Sequence, residues 1–173
     1  MKTEKKKNVV LIGMPGAGKS TIGVILAKVL GKDFIDADLV IQKKEGRLLR
    51  EIIEQEGPDG FLAVEERVNA GICPDAAVIA TGGSVVYGQR AMEHLGRIGA
   101  IVYLKLSYPA VESRLRDIRG RGVVLRDGQT LLDLYQERAV LYERYADVTV
   151  EEDGLGVEET LEKTLQALEM LIK

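Results

Sequence analysis

Val9-Val-Leu-Ile-Gly-Met-Pro-Gly-Ala-Gly-Lys-Ser20 runs from a continuous apolar segment into a glycine-rich turn and ends on a lysine and a hydroxyl. Beyond it, Ile22, Ile25, Leu26, Val29 and Leu30 repeat at helical spacing up to Gly31, so the turn joins a strand to a helix. Gly13 to Ser20 matches G-x-x-x-x-G-K-[ST] in full, in the strand–turn–helix context that the motif requires. Glycines let backbone N–H groups turn inward around phosphates, and the following helix adds the positive end of its dipole. Lys19 supplies a mobile charge for the β- and γ-phosphates, and Ser20 offers a hydroxyl to Mg²⁺. Gly13, Gly16, Ala17, Gly18, Lys19, Ser20 and Thr21 are therefore the expected contacts of a Mg-nucleoside triphosphate such as ATP.

Outward from this loop, Phe34–Ile35, Val78–Ala80, Ile101–Leu106 and Val148–Val150 read as further short strands. Unbroken apolar runs such as VVLI and VIA suit strands covered on both faces, the habit of parallel sheets. Helical patterns lie between them. Thr130-Leu-Leu-Asp133 has capping-box spacing, and Leu161, Leu165, Leu168 and Ile172 form one face of a C-terminal helix. The alternation predicts a doubly wound α/β/α sandwich, and no repeat or linker divides residues 1–173 into more than one domain.

Charge and composition narrow the partners. With 24 basic and 27 acidic residues the formal charge is −3, which gives no broad nucleic-acid-binding face. No apolar run is long enough to cross a bilayer. Cys73 has no second cysteine to pair with, which suits a cytoplasmic chain. His94 is the lone histidine, so a protein-held zinc cluster is not expected and any metal arrives with the nucleotide. A cytoplasmic monomer acting on a small hydroxylated metabolite, with no nucleic-acid or membrane partner, is the expectation.

Asp36-Ala37-Asp38 follows the second strand, at the edge where a doubly wound sheet presents side chains to ligands. If the strand extends that far, period 2 puts Asp36 and Asp38 on one side, with one carboxylate near Mg²⁺ and one accepting a proton from an acceptor hydroxyl. The alternative is a pair of N-cap residues opening a helix at Leu39. Residues 118–129, rich in glycine and carrying Arg119, Arg121 and Arg126, read either as a solvated loop or as a lid over the phosphate site.

Five stretches together resemble the shikimate kinase family: GMPGAGKST at 13–21, FIDADLVI at 34–41, ATGGS at 80–84, RGRG at 119–122 and QERAVLYERYAD at 136–147. The resemblance implies a P-loop kinase with a five-stranded parallel sheet, a substrate-binding helical region at about 39–72 and a lid at about 118–129. It implies transfer of the γ-phosphate of ATP to the 3-hydroxyl of shikimate. By matched position, Asp38 would hold the acceptor hydroxyls and act as base, with Asp36 supporting Mg²⁺ through water. Gly82 and Gly83 would offer N–H groups to the substrate, Arg121 would reach the transferring phosphoryl from the lid, Arg138 would grip the substrate carboxylate, and Arg114 would lie against adenine. Arginine suits these places because its planar fork binds carboxylate and phosphate and stacks on rings.

Three positions depart from the family pattern: Leu62 stands where an arginine is expected, Ser84 replaces a third glycine, and the lid reads Arg121-Gly-Val-Val. A lost charged hydrogen bond to a carboxylate is worth about 1.5–3 kcal/mol. Arg50 and Arg67 lie on neighbouring helical segments as possible substitutes. Leu62 fits either an apolar pocket wall or the core stripe of Phe61, Val64 and Val68, and Ser84 offers either its N–H or its hydroxyl. Three functions remain open at this point: a shikimate kinase, a relative acting on another hydroxy acid or polyol, and a non-catalytic nucleotide-sensing module.

Overall fold

Central position in the sheet falls to the strand that carries the phosphate loop. The computed structural model describes residues 6–117, 123 and 125–172. Strands β1 (Asn8–Ile12), β2 (Asp33–Asp36), β3 (Ala77–Ala80), β4 (Gly99–Lys105) and β5 (Val148–Glu151) form one sheet in the order β2-β3-β1-β4-β5. Every pairing is parallel. Val10, Leu11 and Ile12 of β1 are wholly buried, as their unbroken apolar run requires of a strand covered on both faces.

Around the sheet lie α1 (Lys19–Leu30), α2 (Ala37–Glu45), α3 (Leu49–Asn69), α4 (Gln89–Ile98), α5 (Tyr108–Asp117), α6 (Leu131–Tyr145) and α7 (Val157–Ile172). Gly31 ends α1 in the left-handed region at φ 63°, where glycine alone carries no steric penalty. Thr130 and Asp133 cap α6 reciprocally: each side chain accepts from the other's backbone N–H. Gly23 lets α1 lie against β2, since a Cβ there would fall 2.7 Å from the Phe34 ring.

Helices α2 and α3 carry a second, smaller core of Ile41, Ile52, Phe61, Val64 and Val68 beside the main one. Gly57 (φ 72°, ψ 176°) and Pro58 break α3 into two helical pieces, so its second half turns back toward the sheet. Within the expected lid, 118–122 and Val124 lie outside the described residues, and Arg121 with them. Among the described residues, no helix is long and apolar enough to cross a membrane.

One expectation fails here. Strand β2 stops at Asp36 and α2 begins at Ala37, so Asp38 lies in the first helical turn and not on the strand. The cause is local: Asp36 Oδ1 accepts from the N–H groups of Asp38 (2.9 Å) and Leu39 (3.3 Å), which caps the helix at once.

At the opposite edge, buried Asn8 ties three strands together. Its Nδ2 donates to the Ile98 and Pro74 carbonyls (3.0 and 3.3 Å), and its Oδ1 accepts from Ala77 N–H at 2.7 Å. Asn8→Ala strands these buried backbone groups, so it is expected to cost about 2 kcal/mol or more. In thermal melts this is a fall of roughly 4–8 °C in Tm for a chain of this size, and an unchanged Tm contradicts the assignment.

Candidate active site

The loop leaving β1 is shaped by close approach as well as by backbone conformation. Gly13 sits at φ 150°, and a Cβ there would lie 2.6 Å from the Leu104 carbonyl of β4. Gly16 and Gly18 follow at φ 84° and 80°, and Gly18 starts α1 with no side chain over its N–H groups. Lys19 is buried, and its Nζ donates to the carbonyls of Gly13 (2.7 Å) and Met14 (2.9 Å). One turn of helix away from the loop apex, Ser20 Oγ lies 3.4 Å from Asp36 Oδ2. One Asp36 oxygen caps α2 while the other faces the Ser20 hydroxyl.

At the carboxyl edge of the sheet the loop forms one wall of a cavity of about 660 Å³. Lys19, Ser20, Asp36, Asp38, Gly82, Gly83 and Arg138 all line it. Gly82 and Gly83 are glycines for lack of room. A Cβ on Gly82 would fall 2.8 Å from Glu65 Oε2 and 2.9 Å from Asp38 Oδ1, and one on Gly83 would meet Pro15 Cδ at 2.8 Å and Arg138 Nη1 at 2.9 Å. Ser84 has φ −93° and needs no glycine. Its hydroxyl donates to Glu65 Oε1 at 2.5 Å and is committed within the protein.

Glu65 is only 2 % exposed, and among the described residues its Oε2 has no hydrogen-bond partner. Burial pushes its carboxyl up to about 7; the Ser84 bond opposes the shift, the Asp38 charge adds to it, and Arg138 and Lys19 pull it back. Arg138 is also buried, and among the described residues it makes no ion pair. Tyr142 packs on Tyr103 at 5.0 Å between ring centroids and also donates its hydroxyl to the Gly83 carbonyl at 2.5 Å.

Leu62 satisfies both of its readings, lining the cavity and packing on the small core of α2 and α3. Of the two candidate substitutes, Arg50 lines the cavity as an exposed side chain. Arg67 does not, because its Nη2 is held 2.6 Å from Glu45 Oε1 on the surface.

A second recess of about 120 Å³ lies across the phosphate loop. Arg114 lines it and donates from Nη1 to the Gly16 carbonyl at 2.9 Å, beside Ala17, Gly18 and Thr21. Glu152, just after β5, borders the same recess. It is 3 % exposed, its Oε2 has no hydrogen-bond partner among the described residues, and burial pushes it up to about 7 against the pull of Arg114 and Lys19. Sequence reasoning missed it, because a glutamate in Glu151-Glu-Asp153 reads as a solvated acidic turn.

The family model described as shikimate kinase matches residues 15–169. The shikimate kinase of Thermodesulfovibrio yellowstonii is 38% identical over 168 residues, covering 95% of this chain and 96% of the relative. That of Thiobacillus denitrificans is 39% identical over 85% of this chain and 82% of its own length. Among solved structures, the shikimate kinase from Acinetobacter baumannii in complex with shikimate superimposes with a TM-score of 0.82 at 33% identity, covering 95% of this chain and 94% of that one.

The buried Glu152 has a measurable signature. A carboxyl raised from 4.5 to about 7 contributes stability that is present below pH 4.5 and lost as the pH rises through about 7. Glu152→Gln removes that loss, so the Tm of the variant relative to the unmodified protein is expected to climb between pH 5 and pH 8. A difference that stays flat over this range shows that the carboxyl is not strained by burial.

Proposed function

The chain belongs to the shikimate kinase family, and from that membership we propose that it transfers the γ-phosphoryl group of ATP to the 3-hydroxyl of shikimate. The observation that carries the proposal is the single cavity in which Lys19, Asp38, Gly82, Gly83 and Arg138 meet at the carboxyl edge of the sheet. The phosphate loop grips the nucleotide, with the N–H groups around Gly16 and Gly18 and the amino end of α1 directed at its phosphates. Arg114 and its recess receive the adenine. Arg138 takes the acceptor carboxylate as a planar donor fork.

Asp38 accepts the proton of the acceptor hydroxyl as its oxygen forms a bond to the γ-phosphorus. The bond from that phosphorus to the β–γ bridging oxygen breaks, and ADP leaves with the electron pair. Lys19 stabilises the charge that develops on the transferred group, with Arg121 assigned the same task from the lid. Ser20 Oγ and Asp36 Oδ2 are neighbouring hard oxygen donors, which fits Mg²⁺, and Asp36 would hold it through water. Bound there with ATP, Mg²⁺ neutralises phosphate charge. Among the described residues no group of three His, Cys, Asp or Glu side chains forms a metal cage of its own.

The same reading takes the chain as one kinase domain, a cytoplasmic monomer without nucleic-acid or membrane partners, with residues 39–72 framing the acceptor site. A different hydroxy acid or polyol as acceptor has Leu62 in its favour, but not Ser84, whose hydroxyl is held by Glu65.

Acceptor-dependent ADP formation from Mg-ATP with shikimate tests the proposal. Turnover is expected with the native protein, and Asp38→Asn is expected to lower kcat by roughly 10²–10⁴ with nucleotide binding retained. Background hydrolysis alone, despite bound ATP, assigns the cavity to another acceptor.

A further inference from the structure

Arg138 is held in an unusual way for a buried cation. Its guanidinium carbon stands 5.5 Å from the centroid of the Tyr87 ring, and no carboxylate approaches it within ion-pair distance among the described residues. Glu137, next to it in sequence, is engaged elsewhere: its Oε1 accepts the Tyr87 hydroxyl at 2.6 Å. Tyr87 ends the short turn Val85–Tyr87 that follows Ser84, and its ring lines the acceptor cavity with Arg138.

The two ways of holding a guanidinium differ in what they leave for a ligand. A carboxylate binds the edge, where the N–H donors lie, and neutralises the charge. An aromatic ring binds the face and leaves the charge without a counter-charge. We propose that Tyr87 is a positioning residue for acceptor recognition: its ring, fixed by Glu137, sets the plane of Arg138 and leaves that side chain's charge for the acceptor carboxylate. The inference rests on the assignment of Arg138 to that carboxylate. Glu137 supports it twice, by fixing the ring and by keeping its own charge on the tyrosine and away from the arginine. Arg50 and Arg126 also line the cavity, but both are exposed, and Arg126 Nη2 lies 3.5 Å from Asp59 Oδ1.

Steady-state kinetics of Tyr87→Leu, Tyr87→Phe and Arg138→Lys, each with shikimate and with its uncharged methyl ester, test this. Tyr87→Leu is expected to raise the KM for shikimate about three- to thirtyfold. Its kcat and its KM for ATP should move far less, and its KM for the ester should hardly change. Tyr87→Phe keeps the ring and is expected to recover most of the loss. An unchanged shikimate KM in Tyr87→Leu, an equal loss with the ester, or a Phe variant as impaired as the Leu variant overturns the proposal. If Arg138→Lys raises the shikimate KM while Tyr87→Leu does not, the stacking role alone falls. If neither variant changes it, the assignment of Arg138 to the carboxylate falls as well.

Discussion

Lys19 keeps its ammonium inside the loop to which it belongs, between the Gly13 and Met14 carbonyls, and the surrounding architecture follows from making that possible. A buried ammonium needs oxygen atoms in place of water. Carbonyls turn inward there only because the chain leaves β1 through Gly13, which passes so near Leu104 that a side chain would collide with β4. Gly16 and Gly18 then adopt left-handed conformations that bring the chain round into α1. The central strand must therefore be flanked on both sides, and β1 is, with β3 on one side and β4 on the other. From that placement the loops after β1, β2 and β3 open onto a common edge, and the cavity is where they meet.

Around this loop the charged groups are restrained by neutral partners. Glu65 is held by the Ser84 hydroxyl, Arg138 by the Tyr87 ring, and Arg114 by the Gly16 carbonyl. None of the three appears in an ion pair among the described residues, whereas the surface carries conventional ones such as Arg47 with Glu45 and Glu56. Neutral restraint fixes geometry and leaves electrostatic demand unmet. The raised proton affinities of Glu65 and Glu152 express that demand, since both are buried carboxyls with an oxygen that has no donor among the described residues. A phosphate-transfer site gains from this arrangement because positive charge that is already paired does less for an incoming phosphate or carboxylate.

The sheet was legible because its strands are short unbroken apolar runs, and the phosphate loop because its spacing is tied to a strand and a helix. Gly31 and the Thr130–Asp133 cap were legible for the same reason: their signals are local in sequence. What escaped is in one case a competition between two local signals and in the others a non-local contact. The strand reading of Asp36 and Asp38 failed because a capping bond from Asp36 ends β2 before period 2 can act. Glu152 looks solvated until Arg114 and the phosphate loop cover it, and Tyr142 looks like filler until Gly83 is found at its hydroxyl. Arg50 and Arg67 were equivalent candidates in sequence, and only the surface pairing of Arg67 with Glu45 separates them.

Leu62 and Ser84 look like independent departures in the sequence, yet in the fold they act on one group. Leu62 stands one helical turn before Glu65 on the wall of the same cavity, and Ser84 donates directly to Glu65 Oε1. A cation at position 62 would favour the ionised carboxylate of Glu65, whereas an apolar neighbour withholds water from it and favours the proton. The serine hydroxyl supplies a hydrogen bond that a glycine could not, which fixes the buried Glu65 carboxyl. Leu62 and Ser84 therefore converge on Glu65, whose Oε2 crowds the space over Gly82 together with Asp38 Oδ1.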